Sequence, residues 1–477
     1  SMIEVYAHNY MKKLLKKNSL LWPHNLTLSR LVARSLRRRD KSIFQLEGAN
    51  PNDYWLGVLI PLCLNSCGAV LVVTPSQKQR LFQVEIPKLR NEGFHLAVWD
   101  GLEPPTDEKV WVLNYEDFLN AYNQTSLCSK QFIFTEAELL TRQLREAMSI
   151  QVSSSDWDCL SRAYPLASSV LVDLYEGLTQ RLFSLAIRSN ALVRLDLTSI
   201  LALRDLLGVL PQPPKPWPTV LNATTGEWAS WAQLDYKLLD WTWHLQPLEP
   251  LQTLRQLFVD NPFVTLSTTS ENEFTSFHEI INVRVKLGSP IHEEPIRLFL
   301  PYRQPLPNTE CFAEHLLDQS RRLVLGRQGL TVILLDDDQL LRKLTSELAA
   351  EFGKRVIFCS TAPDTNGIIC CTSKWWLASH DQLPAPEQLI VGLLPISSLE
   401  SPLTAARVEA FKKKGLDWFR DLLLPDLLRL LPRLVLPVRK NHGRIAILDG
   451  RLRARAWGKN VLDVLQPWIP LDRLLPD

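Results

Sequence analysis

The sequence predicts two tandem α/β domains with parallel sheets, the first carrying a mostly helical insertion. Three observations lead there. Short, wholly apolar segments alternate with amphipathic helical spans, as happens where helices cover both faces of a parallel sheet. The alternation occurs twice, once before residue 139 and again after about residue 264. Between the two series leucines and valines recur at helical spacing, and 477 residues exceed one ordinary domain.

In chain order, residues 43–46, 69–73, 95–99, 110–113 and 132–134 read as the strands of the first series. Helices are expected over 54–67 and 78–89. From 139 to about 210 the pattern is helical. Pro211, Pro213, Pro214, Pro216 and Pro218 then require an extended connector, because proline removes backbone donors and fixes φ. A stretch containing Trp217, Trp228, Trp231, Trp241 and Trp243 follows; packing of the insertion is preferred for it over a platform for stacked bases. The second series has strands at 263–266, 296–300, 331–335, 355–358, 367–370, 388–393 and 444–448, with helices near 309–325 and 339–351 and a leucine-rich helix before the last strand.

Bulk composition excludes several classes. Hydrophobic residues make up 46% and charged residues 22%, which allows a packed core and argues against wholesale disorder. The formal net charge of +2 gives no global field toward nucleic acid, so any such signal is local. Lys12, Lys13, Lys16 and Lys17 do not suit a secretory signal, and the most apolar stretch is broken by Pro425, Asp426, Arg429, Pro432 and Arg433. The cytoplasm is the expected compartment, with no membrane partner. Eight cysteines do not suggest a disulfide scaffold, and neither Cys63/Cys67 nor Cys370/Cys371 has metal-ligand spacing.

The order of motifs resembles that of the DinG/XPD-like superfamily 2 helicases. Residues 47–61, E-G-A-N-P-N-D-Y-W-L-G-V-L-I-P, resemble that family's E-A-G-T-G-T-G-K-S-L-A-Y-L-L-P. The stretch from Val70 with Thr74-Pro75-Ser76-Gln77 looks like motif Ia, and Leu113-Asn114-Tyr115-Glu116-Asp117-Phe118-Leu119 like N-H-a-L-L. Phe132-Ile133-Phe134-Thr135-Glu136-Ala137-Glu138-Leu139 stands where I-I-D-E-A-H falls. Residues 263–270, F-V-T-L-S-T-T-S, resemble v-i-l-T-S-A-T. Residues 367–380, 388–395 and 444–451 with Trp457-Gly458 resemble the later motifs of the second motor domain. The resemblance implies two RecA-like, P-loop NTPase-type domains: a first from residues 1–138 and 245–270, a mostly helical insertion with a Pro/Trp-rich connector at 139–244, and a second at 271–477.

The residues that grip and cleave a nucleotide are missing from these registers. Such a site needs backbone amides around the phosphates, a lysine on the terminal phosphates and a hydroxyl on Mg²⁺. Tyr54 and Trp55 stand at the lysine and hydroxyl positions, among Asn50, Asn52 and an acidic Asp53, and Pro51 deletes an amide. Thr135 replaces the metal-holding aspartate, Glu136 is kept, and Glu138 replaces a histidine. Counting back from Gly443, the arginine-bearing motif falls on 430–437 with neither arginine in register; Arg433 or Arg439 takes over only if the register slips. Four cysteines would hold the iron–sulfur cluster of XPD-like members, and from Leu89 to Phe132 this chain has only Cys128. The expectation is therefore no catalytic residue, no metal, no ATP/Mg site and no iron–sulfur cluster.

Candidates for nucleic-acid contact are Lys78 and Arg80 after motif Ia, Ser267 and Thr268 in the interdomain motif, the Trp375/Trp376 pair, and Arg451, Arg453, Arg455 and Lys459 in the tail. For the tryptophans, packing beside a strand is the competing reading. Arg37, Arg38, Arg39 and Lys41 form a second basic cluster. The expected function is a helicase-like protein that has lost hydrolysis and binds single-stranded or forked DNA. A protein-interaction scaffold, with a partner from DNA metabolism, and a divergent working helicase are the alternatives.

Overall fold

A computed structural model describes residues 2–17, 22–47, 49–64, 68–107, 109–185, 191–268, 273–288, 294–472 and 474. Gly48, Cys67, Thr269 and Ser270 lie outside the described residues. Two seven-stranded sheets dominate, and among the described residues every strand pairing within each is parallel. The first runs, edge to edge, Val283–Gly288, Lys41–Glu47, Phe263–Ser267, Gln131–Phe134, Ala69–Val72, Val110–Leu113, Val98–Trp99. The second runs Val356–Phe358, Ile368–Cys371, Thr331–Leu334, Gln388–Val391, Arg444–Ile447, Ile296–Phe299, Trp468–Pro470.

The central strands are buried on both faces, which is why, apart from the first residues Gln131, Thr331, Gln388 and Arg444, they are apolar rather than alternating. Each sheet separates two clusters. Leu71, Val112 and Ile133 face one side of the first sheet, and Val70, Phe132 and Phe134 face the other. The helices Asn25–Arg38 and Trp55–Leu64 pack so closely that a Cβ on Gly57 would meet Leu28 at 2.6 Å. That contact fixes the segment between them, residues 50–53, over the end of the first strand.

The first domain is larger than its expected limits. Strand Val283–Gly288 lies within the range assigned to the second domain, yet it pairs with Lys41–Glu47. Its solvent-alternating pattern suits an edge strand and has no long apolar run to betray it. The insertion combines helices with a four-stranded antiparallel sheet, ordered Ile150–Val152, Asp240–Pro247, Trp228–Asp235, Leu192–Arg194. The tryptophan-rich stretch, taken for part of a connector, supplies the two long strands. Trp217, Trp241 and Trp243 are buried with Trp157, whose ring meets Trp217 edge-on at 5.0 Å. Their indole N–H groups are all satisfied, on Asp156 O, Thr179 Oγ1 and Ser230 Oγ respectively. The prolines end sooner than expected, since Pro218 already lies in the first turn of helix Trp217–Thr224. No helix among the described residues is long and apolar enough to cross a membrane.

The insertion depends on this indole cluster. Trp243→Ala is expected to lower unfolding free energy by about 3–5 kcal/mol, read from urea unfolding followed by circular dichroism. A loss under about 1 kcal/mol would contradict the packing described.

Candidate functional site

The two domains meet at the C-terminal ends of strands Lys41–Glu47 and Gln131–Phe134, where ligand crevices of parallel sheets form. The segment after the first of these strands turns back on itself. Asp53 N donates to Asn50 O at 2.9 Å, and the Asp53 carboxylate accepts from Asn50 N at 2.9 Å. Asn25, fully buried, donates to Asp53 O at 2.8 Å and accepts from Gly57 N at 3.0 Å. Asn52 accepts from the Trp55 indole at 3.1 Å. Asn50 N and Asp53 N are thus spent within the segment.

Tyr54 and Trp55 are buried, at 0% and 1% exposure. Burial, then Glu138 and Glu136, pushes the Tyr54 phenol well above its ordinary pKa, so it stays neutral. Across the cleft, helix Leu424–Lys440 of the second domain presents Arg433 between Leu430, Leu434 and other buried side chains. Arg433 is 3% exposed in its side chain. Its Nη2 donates to Glu136 Oε1 at 2.6 Å, and its Nε lies 3.4 Å from Glu138 Oε1. Glu138 also accepts from Thr268 Oγ1 at 3.1 Å, and Thr135 Oγ1 donates to Gln77 Oε1 at 2.8 Å. Burial opposes the charge on Arg433, but Glu136 and Glu138 outweigh it and hold its pKa above the ordinary value. Burial also pushes Glu136 up to about 7, with Arg433 pulling the other way. Around this clasp lie Lys440 and His380, both lowered in pKa by burial.

Other interdomain links lie at the rim: Arg194–Glu409 at 2.6 Å, Lys374–Glu146 at 2.9 Å, Ser76–Asp381 at 3.1 Å and Lys414–Glu249 at 3.4 Å. Exposed pairs contribute about 0–1 kcal/mol each. Removing one member of a buried pair instead costs about 3–5 kcal/mol, because the partner is left charged and dry. The Arg433 clasp therefore decides the closed arrangement.

The Asn50 amide is capped by a carboxylate, aromatic bulk fills the lysine and hydroxyl positions, and Thr135 is committed to Gln77. Tyr54 OH, Asn50 Oδ1, Gln77 Nε2 and Arg433 Nη1 lack hydrogen-bond partners, and three carboxylates, from Asp53, Glu136 and Glu138, flank the same space.

The other candidates separate. Lys78 is half-buried, Arg80 is paired with Glu85 at 3.0 Å, and Ser267 is buried. Trp376 is not available for stacking: it is 1% exposed, in the second core, with its indole on Leu434 O at 2.9 Å. Trp375 is half-buried beside that core. Arg451 spends its guanidinium on the buried Asp449 carboxylate at 2.7 Å, fixing the turn after Arg444–Ile447. Arg453 lies over the Tyr302 ring at 5.9 Å, while Arg455 and Lys459 are exposed. Arg439 donates to Pro467 O and Leu465 O, whereas Arg433 stands in the cleft. Its signal in the sequence is a cation on the apolar stripe of an amphipathic helix. Glu138 was legible only as a lost histidine; Gln77 and Asn25 had no signal of their own.

The two parallel sheets facing across this cleft have an XPD-like fold, consistent with tandem RecA-like domains. No family model matches the chain. The ATP-dependent DNA helicase YoaA of Escherichia coli (strain K12) is 25% identical over 246 residues, 47% of this chain and 38% of that protein. YoaA of Haemophilus influenzae (strain ATCC 51907 / DSM 11121 / KW20 / Rd) is 28% identical over 122 residues, 25% of this chain and 19% of that protein. The chain thus matches well under half the length of these curated relatives. An XPD helicase structure superposes with a TM-score of 0.63 at 11% identity, covering 94% of this chain and 100% of the other. The S. tokodaii Xpd4 structure gives 0.58 at 12%, covering 92% and 97%. These relatives correct one expectation. Both curated proteins are named as ATP-dependent, which points to nucleotide use, so the expectation of no cofactor, nucleotide and cluster alike, is withdrawn.

Two outcomes test the clasp. Arg433→Met is expected to lower unfolding free energy by about 3–5 kcal/mol, and Glu136→Gln with Glu138→Gln in the same chain is expected to restore most of it, by urea unfolding. The second concerns pH. With Glu136 at about 7 in the fold against 4.5 ordinarily, the folded chain binds the extra proton. That contribution to stability is full below the ordinary value and is lost as pH rises toward the folded one. Glu136→Gln is therefore expected to flatten the fall of stability across this window by about one proton; an unchanged slope counts against the assignment.

Proposed function

We propose that the chain is a DNA-binding, helicase-like protein in which the Arg433 clasp holds the two domains closed and hydrolysis of ATP has been lost. The observation that carries this is the buried arginine bridging both domains onto Glu136 and Glu138, with Tyr54 in the place a phosphate-gripping lysine needs. Hydrolysis needs a metal-holding carboxylate, a cation on the transferred phosphoryl group and a cradle of amides. Here the first is Thr135, the cation is already neutralised by two carboxylates, and Asn50 N and Asp53 N are spent. Binding of DNA is supported by the names of the relatives and by exposed or half-exposed groups: Lys78, Thr268, Trp375, Arg453, Arg455 and Lys459. Nucleotide use, toward which the relatives point, requires Arg433 to leave its carboxylates, so a bound nucleotide and the clasp are competing states. Any ligand that binds the open state must offset the clasp before affinity is seen.

Fluorescence anisotropy with labelled single-stranded and forked oligonucleotides, across a salt series, tests the binding. Phosphate release with ATP and magnesium, with and without DNA, tests the rest. The expected result is salt-sensitive binding and no DNA-stimulated release above that of Glu136→Gln. Stimulated release abolished by Glu136→Gln would establish a working helicase instead. Absence of binding even at low salt would leave the protein-scaffold reading.

A further inference from the structure

We infer that the outer face of helix Asn25–Arg38 is a second nucleic-acid contact surface, for the phosphate backbone, on the first domain and away from the interdomain cleft. Resting on the DNA-binding reading above, this goes beyond it in place and in residues. Arg30, Arg34, Arg37 and Arg38 are all exposed, at spacings of four, seven and eight residues from the first. They therefore form one stripe, roughly 12 Å long at ~1.5 Å per residue. The opposite face, with Leu28, Val32 and Leu36, is buried against the first core, so the stripe is held rigidly and in one orientation.

The charge of Arg30, Arg34 and Arg38 is not balanced locally: the helix contains no acidic residue, and these three form no ion pair among the described residues. Like charges four apart destabilise a helix by a few tenths of a kcal/mol per pair, and only those in the last turn are favoured by the helix dipole. Repulsion of this kind is relieved by a polyanion. Arginine pairs one turn apart lie about 6 Å along the axis, close to the rise of two phosphates of one strand at ~3.4 Å each. The stripe carries no apolar patch, which favours a phosphate chain over an apolar protein surface.

The stripe is also separate from the proposed contacts near the cleft. Arg38 ends the helix just before strand Lys41–Glu47, and Arg39 donates to Ser129 O, just before strand Gln131–Phe134. Because these strands are parallel, the arginines at the end of the helix lie at the N-terminal edge of the sheet, opposite the cleft. Arg39 and Lys41, whose Nζ donates to Val259 O, are occupied in structure and are not part of the stripe.

The test uses the full chain and a fluorescein-labelled oligonucleotide, single-stranded and duplex, in a salt titration by anisotropy. The triple variant Arg30→Gln, Arg34→Gln, Arg38→Gln is expected to bind more weakly and to reduce the log affinity against log salt slope by about 2 to 3. A triple Arg→Lys variant at the same positions is expected to keep the slope. Circular dichroism checks the fold, which the exposed glutamines should leave intact. Wild-type affinity and slope in the glutamine variant overturn the inference, and if Lys78→Gln still weakens binding the reading above survives alone. Loss of binding equally competed by polyglutamate or anionic vesicles also overturns it, since the surface then lacks preference for a phosphate backbone. No binding by the wild type at low salt sinks both.

Discussion

The closed arrangement turns on one guanidinium. Arg433 comes from the second domain, is removed from water, and is compensated only by two carboxylates belonging to the first. A lone buried cation would cost far more than any rim contact returns, so the two domains are coupled through a debt that neither settles alone. Every other interdomain polar link described is at least partly exposed and correspondingly weak. The same two carboxylates, Glu136 and Glu138, are the acceptors that hold this cation across the interface.

That substitution is coherent with the segment opposite. Asp53 turns inward to cap Asn50, Asn25 ties the turn to the neighbouring helix, and Tyr54 fills the remaining space as a neutral phenol beside the carboxylates. Each change by itself would be a local oddity. Together they give a segment whose Asn50 and Asp53 amides are already satisfied, and a cleft interior that favours a cation from across the interface.

Much of the fold was legible because parallel strands buried on both faces cannot hide; Ala69–Val72, Val110–Leu113, Thr331–Leu334 and Gln388–Val391 are runs of apolar residues with helices between. What was missed had weak local signals. Strand Val283–Gly288 is not among the expected strands; it alternates at the sheet edge instead of forming a wholly apolar run. The tryptophan strands of the insertion bury aromatics on alternate positions, next to prolines that suggested irregular chain. At the site, the residue types at 50–55 and 135–138 were legible in the sequence, but not that the cleft between them would be closed. Closure comes from Arg433, some 300 residues away in sequence from Glu136, and only three-dimensional proximity reveals it. Trp376 shows the reverse limit: its place in a motif suggested a surface role, and packing assigned it to the core.

The strand order of the first sheet has a consequence for how this polypeptide is made. Phe263–Ser267 lies between Lys41–Glu47 and Gln131–Phe134, and Val283–Gly288 closes the edge beyond them. Until the ribosome has released that late stretch, the early strands Lys41–Glu47 and Gln131–Phe134 have no neighbour between them. The insertion, whose own sheet is complete by Pro247, can assemble while its host is still open. Nascent chains therefore carry a finished guest inside an unfinished host, with apolar edges exposed for the length of that delay.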